Sequence, residues 1–309
     1  MHELDVAILK TVIYGDIFNF PMTAEEIHHF LIHNRTVGLT EITQHLQTSH
    51  FLANTLCFDG TYYSLASRQD IFELRHSREA MVLPLLKRVK TYGRLLAYFP
   101  FVEFVGVTGA LSMRNPSTET DDLDYLIITR PGRVWLARAC IILLVRVMRL
   151  RHVEICPNYV LASDKLSQSR QDMYIAHEIV QLLPLSNVSL YQQLREENQW
   201  TQDYLANSNM PFYQFVDAPL NRVGLFIKHG LEAVMSTRLG NWLEQWEYKR
   251  KATRFQQQAT APTSSAEIDE GRVKGHFQDY GHYVLERYHE QLKLFEIDIH
   301  KPQLQSGGD

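Results

Sequence analysis

The stretch Thr108–Thr129, "TGALSMRNPSTETDDLDYLIIT", decides how the chain is read. It sets a glycine turn, a polar loop and two carboxylates, Asp122 and Asp124, against the apolar run "YLII". Alternate residues of a strand share a face, so Asp122 and Asp124 point one way and Leu123 the other. Two carboxylates held this close repel each other unless one takes a proton or a cation lies between them. A hard divalent cation, Mg²⁺ or Mn²⁺, suits carboxylate oxygen and keeps positions open for substrate phosphates. The apolar residues that follow put the acids at the strand's solvent-facing entrance. The plainer alternative is that Asp121 and Asp122 cap a turn.

The flanks supply the rest of the pattern. "FVEFVGV" is rich in β-branched and aromatic residues and reads as a strand that ends at Gly109, before a short helix begun by "ALSMRN". Such a turn exposes backbone N–H groups and a helix start, both suited to phosphate. After the acidic strand, Pro131 and Gly132 punctuate the chain before a helix over Val134–Leu150, and "HVEICPNYVLAS" reads as a third strand. Strand, short helix, strand, helix, strand implies a domain that mixes helices and sheet.

Val107-Thr108-Gly109-Ala110 followed by Asp122-Leu123-Asp124 resembles the nucleotidyltransferase superfamily, whose best-known fold is that of DNA polymerase β. "DIFNFPMTAEEI", "DDLDYLIITRPGRVWLAR" and "EICPNYVLASD" also resemble a group of uncharacterised bacterial and archaeal proteins with a winged-helix-like N-terminus. The resemblance implies an α+β fold: a mixed sheet flanked by helices, an N-terminal winged-helix-like domain and a helical C-terminal region. It implies that Asp122 and Asp124 hold Mg²⁺ (or Mn²⁺) and are the catalytic pair. Thr108, Gly109, Ala110, Ser112, Arg114 and Lys274 would contact the nucleotide. The implied reaction is attack of an acceptor hydroxyl on the α-phosphate of a nucleoside triphosphate, releasing pyrophosphate. The acceptor would be a small molecule, a protein side chain or an RNA end. Two departures stand out. Ala110 replaces the usual Ser or Gly, leaving Ser112 or the local backbone to serve. The third carboxylate of the family has three candidate positions, Glu154, Asn158 and Asp164; Asn158 has an amide, and Pro157 is a place for a bulge.

Bulk properties bound the alternatives. The 309 residues are 45% hydrophobic with a net charge of −4, enough for a large core and without a global basic field for nucleic acid. The three cysteines, Cys57, Cys140 and Cys156, form no CxxC pair and read as thiols of a reducing, cytoplasmic compartment. The start "MHELDVAILKTV" is acidic and lacks a signal-peptide pattern. The most apolar run, Val134–Leu150, carries Arg138, Arg146 and Arg149, so it reads as a buried amphipathic helix, and no membrane partner is expected.

The expected boundaries are 1–75 for the winged-helix-like domain, 76–165 for the nucleotidyltransferase core, 166–300 for the helical region and 301–309 for a disordered tail. In the first, Thr23 and Glu26 form a capping box, and Asp59–Gly60 mark a hairpin turn. The third helix, the DNA-reading element of a winged helix, holds Thr40, Glu41, Thr43, Gln44 and His45 but no Lys or Arg, so DNA is a weak expectation. A helical connector follows to Tyr98, with a break or kink expected at Pro84. Ala259–Gly271 reads as a mobile polar loop. Arg130 and Arg133 would face a nucleotide or pair with surface acids. Lys274 and His276 alternate on an extended entry. His28, His29 and His33 lack the context of a zinc site. Trp242, Trp246 and Tyr248 read as packing, ahead of the basic run Lys249–Lys251.

Overall fold

The structure is a computed structural model that describes residues 2–214, 220–259, 268–274 and 280–297. The expected tail at 301–309, His276 and most of the loop before Gly271 lie outside these residues.

The chain opens with α1 (Glu3–Ile17), α2 (Ala24–His29) and α3 (Leu39–Thr48). The Thr23–Glu26 capping box starts α2: Glu26 N–H donates to Thr23 Oγ1, and Thr23 N–H to Glu26 Oε2. A fourth short helix, α4 (His50–Thr55), begins where Ser49 caps it, and the hairpin of β1 (Leu56–Phe58) and β2 (Tyr63–Leu65) follows. The hairpin loop spans four residues, because Asp59 Oδ1 accepts from both Thr61 and Tyr62 N–H groups and folds the turn around itself. These elements do not pack alone. Ile8, Val12, Ile27 and Ile42 share a core with Met173 and Val180 of α8 (Met173–Val180) and Val284 of α12 (Tyr280–Leu294), two helices introduced in their place below.

The connector is one continuous helix, α5 (Ile71–Ala97), and it runs through Pro84. Pro84 is exposed, so its ring meets solvent, and the 27-residue helix forgoes only the bond Pro84 could not donate. Next come β3 (Val102–Val107), the single-turn α6 (Gly109–Ser112), β4 (Leu123–Thr129), α7 (Val134–Arg149) and β5 (Ile155–Ala162). Beyond α8 lie β6 (Leu183–Pro184), α9 (Val188–Glu196), α10 (Arg222–Met235), α11 (Arg238–Ala259), β7 (Arg272–Lys274) and α12.

The fold is α+β around a mixed five-stranded sheet in the order β6-β3-β4-β5-β7. β3 and β4 are antiparallel, β4 and β5 parallel, and both edge strands antiparallel to their neighbours. The region 166–300, expected to be mainly helical, also supplies the strands at both sheet edges. The two edge strands are two and three residues long, too short to show a period of two. The core below the sheet joins Leu85 and Val89 of α5, Val105 and Val107 of β3, and Trp135 and Ile141 of α7. No helix among the described residues is long and apolar enough to cross a membrane.

Candidate functional site

Gly109 and Asp124 are locked against each other. The Gly109 backbone has φ +65°, a conformation that L side chains rarely adopt. A Cβ built there would lie 2.5 Å from Asp124 Oδ2, so only glycine admits this carboxylate. The Thr108 N–H donates to the Asp124 carbonyl at 3.1 Å and fixes the turn on β4. Asp124 is half-buried, and Cys156, its register partner on β5, hydrogen-bonds its carboxylate. Burial, reinforced by the charges of Asp122, Glu178 and Asp121 and only partly offset by the thiol, pushes the Asp124 carboxyl up to about 7. The same surroundings push the Cys156 thiol up to about 12, so it stays protonated and donates.

Asp122 stands exposed one residue ahead of β4. Desolvation and the charges of Glu154 and Asp121 raise its carboxyl, with Arg149 opposing. Asp121 does what the plainer reading assigned to the acids: its carboxylate accepts from Ser117 N–H, Thr118 N–H and the Thr118 hydroxyl. Capping therefore falls to Asp121; Asp124 lies against Gly109, while Asp122 is outside the cavity lining and near enough to raise the Asp124 carboxyl through its charge.

The three candidates for a third acid separate clearly. Asp164 follows Ala162, which pairs with Thr129, so it lies at the opposite end of the sheet from Asp124. Glu154 is exposed and forms a 3.4 Å ion pair with Arg149, while its carbonyl accepts from Leu123 N–H. Asn158 occupies the bulge where the register shifts between Tyr125 and Leu126, the irregularity expected at Pro157. It lines the cavity, and its buried Oδ1 has no hydrogen-bond partner. Among the described residues no three His, Cys, Asp or Glu side chains are grouped to hold a metal ion. Of the acids and the amide considered, Asp124 and Asn158 line the cavity.

The cavity beside these residues encloses about 470 Å³. Gly109, Ala110, Asp124 and Asn158 form its sheet wall. Tyr14, Phe18 and Phe20 come from the N-terminal region, and Tyr174, His177 and Glu178 from α8. Lys274 enters from β7, opposite Tyr159 in register, with Nζ 5.8 Å from that ring's centre. Glu178 is half-buried; burial raises its carboxyl, against the Lys274 charge and a Tyr174 hydrogen bond. His177 stacks on Tyr14 at 3.8 Å, and its Nδ1 meets the Met173 carbonyl at 2.8 Å. Burial pushes the imidazole down to about 4, so it is neutral and donates from Nδ1.

The other expected contacts fall into two groups. Gly109, Ala110 and Lys274 line the cavity, and Thr108 borders the turn with a buried Oγ1 that has no hydrogen-bond partner. Ser112 is buried and donates to the Gly109 carbonyl at 2.8 Å, so its hydroxyl serves the turn rather than the cavity. Arg114 lies with its guanidinium 4.1 Å above the Tyr213 ring, outside the cavity lining. Asn115 pins the loop instead, accepting from Arg78 at 2.7 Å and donating to the Phe18 carbonyl. Arg130 and Arg133 sit at the far end of β4; Arg130 pairs with Glu232 and Glu103, and Arg133 with Asn241. Of the histidine group, His29 packs against Phe30 and Phe212, and burial lowers it to about 4. Sequence reasoning passed over Tyr14, His177 and Glu178. The adjacent His and Glu within the apolar octet "MYIAHEIV" were the one available signal.

Comparison with protein-family models, with curated proteins and with solved structures finds no match to this chain.

Proposed function

We propose that the chain is a nucleotidyltransferase-type protein that binds a nucleoside triphosphate with Mg²⁺ at Asp122 and Asp124. In this reading β3 to β5 form a polymerase β-like core, and the N-terminal helices and hairpin form a winged-helix-like domain. One observation carries the reading: the left-handed Gly109 turn and the Asp124 carboxylate fit each other in the wall of a cavity. The donor set suits Mg²⁺, which is commonly held by one or two carboxylates and completes its shell with water and phosphate oxygen. Bound there, Mg²⁺ would neutralise charge on the transferring phosphate. The chain's own residues do the remainder. Gly109 and Ala110 line the cavity beside Asp124, Lys274 brings a cation to it, and the aromatic walls offer Tyr14, Phe18 and Tyr174 for a planar group. The reaction is in-line attack of an acceptor hydroxyl on the α-phosphate, with pyrophosphate leaving.

Asn158 favours a second reading, in which the protein binds the nucleotide and transfers poorly. An amide oxygen can ligate, but it cannot take a proton from the attacking hydroxyl. The test incubates the protein with Mg²⁺ and each labelled nucleoside triphosphate and scores both binding and pyrophosphate release. Binding and release, both lost in Asp122→Asn/Asp124→Asn, support transfer. Metal-dependent binding without release supports the second reading. Binding and release that are unchanged in the double variant remove both. DNA recognition has a separate readout, since a mobility shift that fades with salt would assign it to the N-terminal domain.

A further inference from the structure

α10 is built inside out. A surface helix normally turns its charges to water and its apolar stripe to the core. Here Lys228 and Glu232 face inward. Glu232 accepts from the buried Phe101 N–H at 2.8 Å, and Lys228 Nζ donates to the Ala97 carbonyl at 3.0 Å and also to that of Val102. The outward positions are Val223, Phe226, Ile227, Leu231 and Val234, a spacing that follows one helical stripe. Phe226 is 81% exposed, and Val223 and Val234 are 70% exposed. α11 continues the pattern. Its Glu244 turns inward to accept from Trp135 and Leu136 N–H groups, while Leu239, Trp242 and Trp246 remain exposed. The two tryptophan rings stack with centres 6.3 Å apart. Isolated exposed apolar residues are ordinary, but a run along two successive helices marks an interaction surface.

The charges select the occupant. Between residues 221 and 253, Glu232, Glu244 and Glu247 are all buried. The exposed charged side chains of that segment are Arg222, Arg238, Lys249 and Arg250, the last bound to Glu247, and the exposed His229 contacts Glu232. An apolar stripe with tryptophans and only cationic exposed charges matches the composition of helices that lie in the headgroup region of an anionic membrane. A symmetric contact between two copies would instead bring these cations together.

We propose that the outward face of α10 and α11 docks on an anionic phospholipid bilayer, with the protein lying on the surface rather than crossing it. This face anchors to Ala97, Phe101 and Val102, the end of the sheet opposite Gly109 and Asp124. Bilayer docking therefore does not depend on the nucleotide reading, and either can fail without the other.

The experiment sediments the full chain with vesicles of pure phosphatidylglycerol or pure phosphatidylcholine. Binding to phosphatidylglycerol that weakens with salt is expected, with much less on phosphatidylcholine. Phe226→Ser/Ile227→Ser should lower that binding roughly tenfold or more. Its melting curve should match wild type, because both replaced side chains are exposed. Arg222→Glu/Arg238→Glu tests the charges separately and should also reduce binding. Asp122→Asn/Asp124→Asn should bind vesicles as wild type does. Absence of binding, or equal binding to both lipids, would overturn the proposal. So would a lipid-free dimer in sedimentation equilibrium that the Phe226→Ser/Ile227→Ser change dissolves, since the face would then belong to a second copy.

Discussion

The two ends of the central sheet use similar residues in opposite ways. At the Val102 end, every charge of the group has an opposite. Glu232 meets Arg130 at 3.3 Å and the Phe101 N–H, and Arg130 also reaches Glu103. Burial raises the Glu232 carboxyl, but the Phe101 N–H, His229, Arg130 and Lys228 outweigh it and hold it below the usual range. At the Gly109 end the balance is reversed. Asp122 and Asp124 are both raised, and the buried Asn158 Oδ1 and Thr108 Oγ1 lack hydrogen-bond partners. Buried polar groups are nearly always satisfied in a folded chain, so a cluster left unsatisfied points to something that arrives later. The Val102 end is a fastening, and the Gly109 end is the site we assign to Mg²⁺ and phosphate.

The hardest test of this contrast is Asp124→Asn. It keeps the size of the side chain and removes the charge, so metal-dependent nucleotide binding or pyrophosphate release should fall about a hundredfold or more. Isothermal titration with Mg²⁺ and nucleotide checks it, and an unchanged titration would end the assignment. At the fastened end, Glu232→Ala should leave that titration unaltered. It should cost about 2–3 kcal/mol of stability, since the Phe101 N–H loses its acceptor and Lys228 and Arg130 keep only Glu103 as an opposite charge. A urea melt measures this, and a change in nucleotide affinity instead would erase the distinction between the ends.

Gly109→Ala lies between the two. The new Cβ meets Asp124 Oδ2 at 2.5 Å and sits at φ +65°, so the turn or the carboxylate must move. The expected cost is about 1–2 kcal/mol of stability, with weaker metal-dependent binding. Stability and affinity should fall together here, whereas Glu232→Ala should move only the first. A melt and a titration on one preparation separate the cases.

These positions also show what a sequence can carry. Gly109 and Asp124 were legible because they lie in one local strand-turn-strand unit, joined by a loop of fixed length. The bulge beside Asn158 was foreshadowed by Pro157, whose missing N–H disturbs a ladder. On the far wall of the cavity Lys274 was expected and the adjacent His177 and Glu178 were a faint local signal, but nothing local marks Tyr14. Tyr14, His177 and Lys274 are separated by roughly 160 and 100 residues along the chain and meet only when α1, α8 and β7 pack around the sheet. Edge strands as short as Leu183–Pro184 are likewise set by their neighbour, since the backbone of β3 offers the bonds. The α10 stripe has a helical period, but a period alone does not give its direction. Periodicity gives a face, and only Glu232 and Lys228, anchored inward, show that the apolar face looks out.

The smallest effect concerns the cavity wall itself. His177 is buried against Tyr14 and neutral, with its pKa lowered to about 4 from the ordinary 6.5. Between these values the unfolded chain binds a proton that the folded chain refuses. Stability from this group is therefore complete above pH 6.5 and is lost as pH falls toward 4. From pH 7 to pH 6 the loss is under ~1 kcal/mol, and it grows at lower pH. His29 and His289, both lowered by burial, and the raised carboxyls of Asp124 and Glu178 also shape the total curve, the two carboxyls in the opposite sense. Comparison with His177→Gln removes those shared contributions. The variant should be less stable at pH 7, because the Tyr14 stack is lost, yet should lose less stability than wild type between pH 7 and pH 5. Parallel curves would mean that this imidazole accepts a proton in place, and that the wall around Asp124 is wetter than its aromatic lining implies.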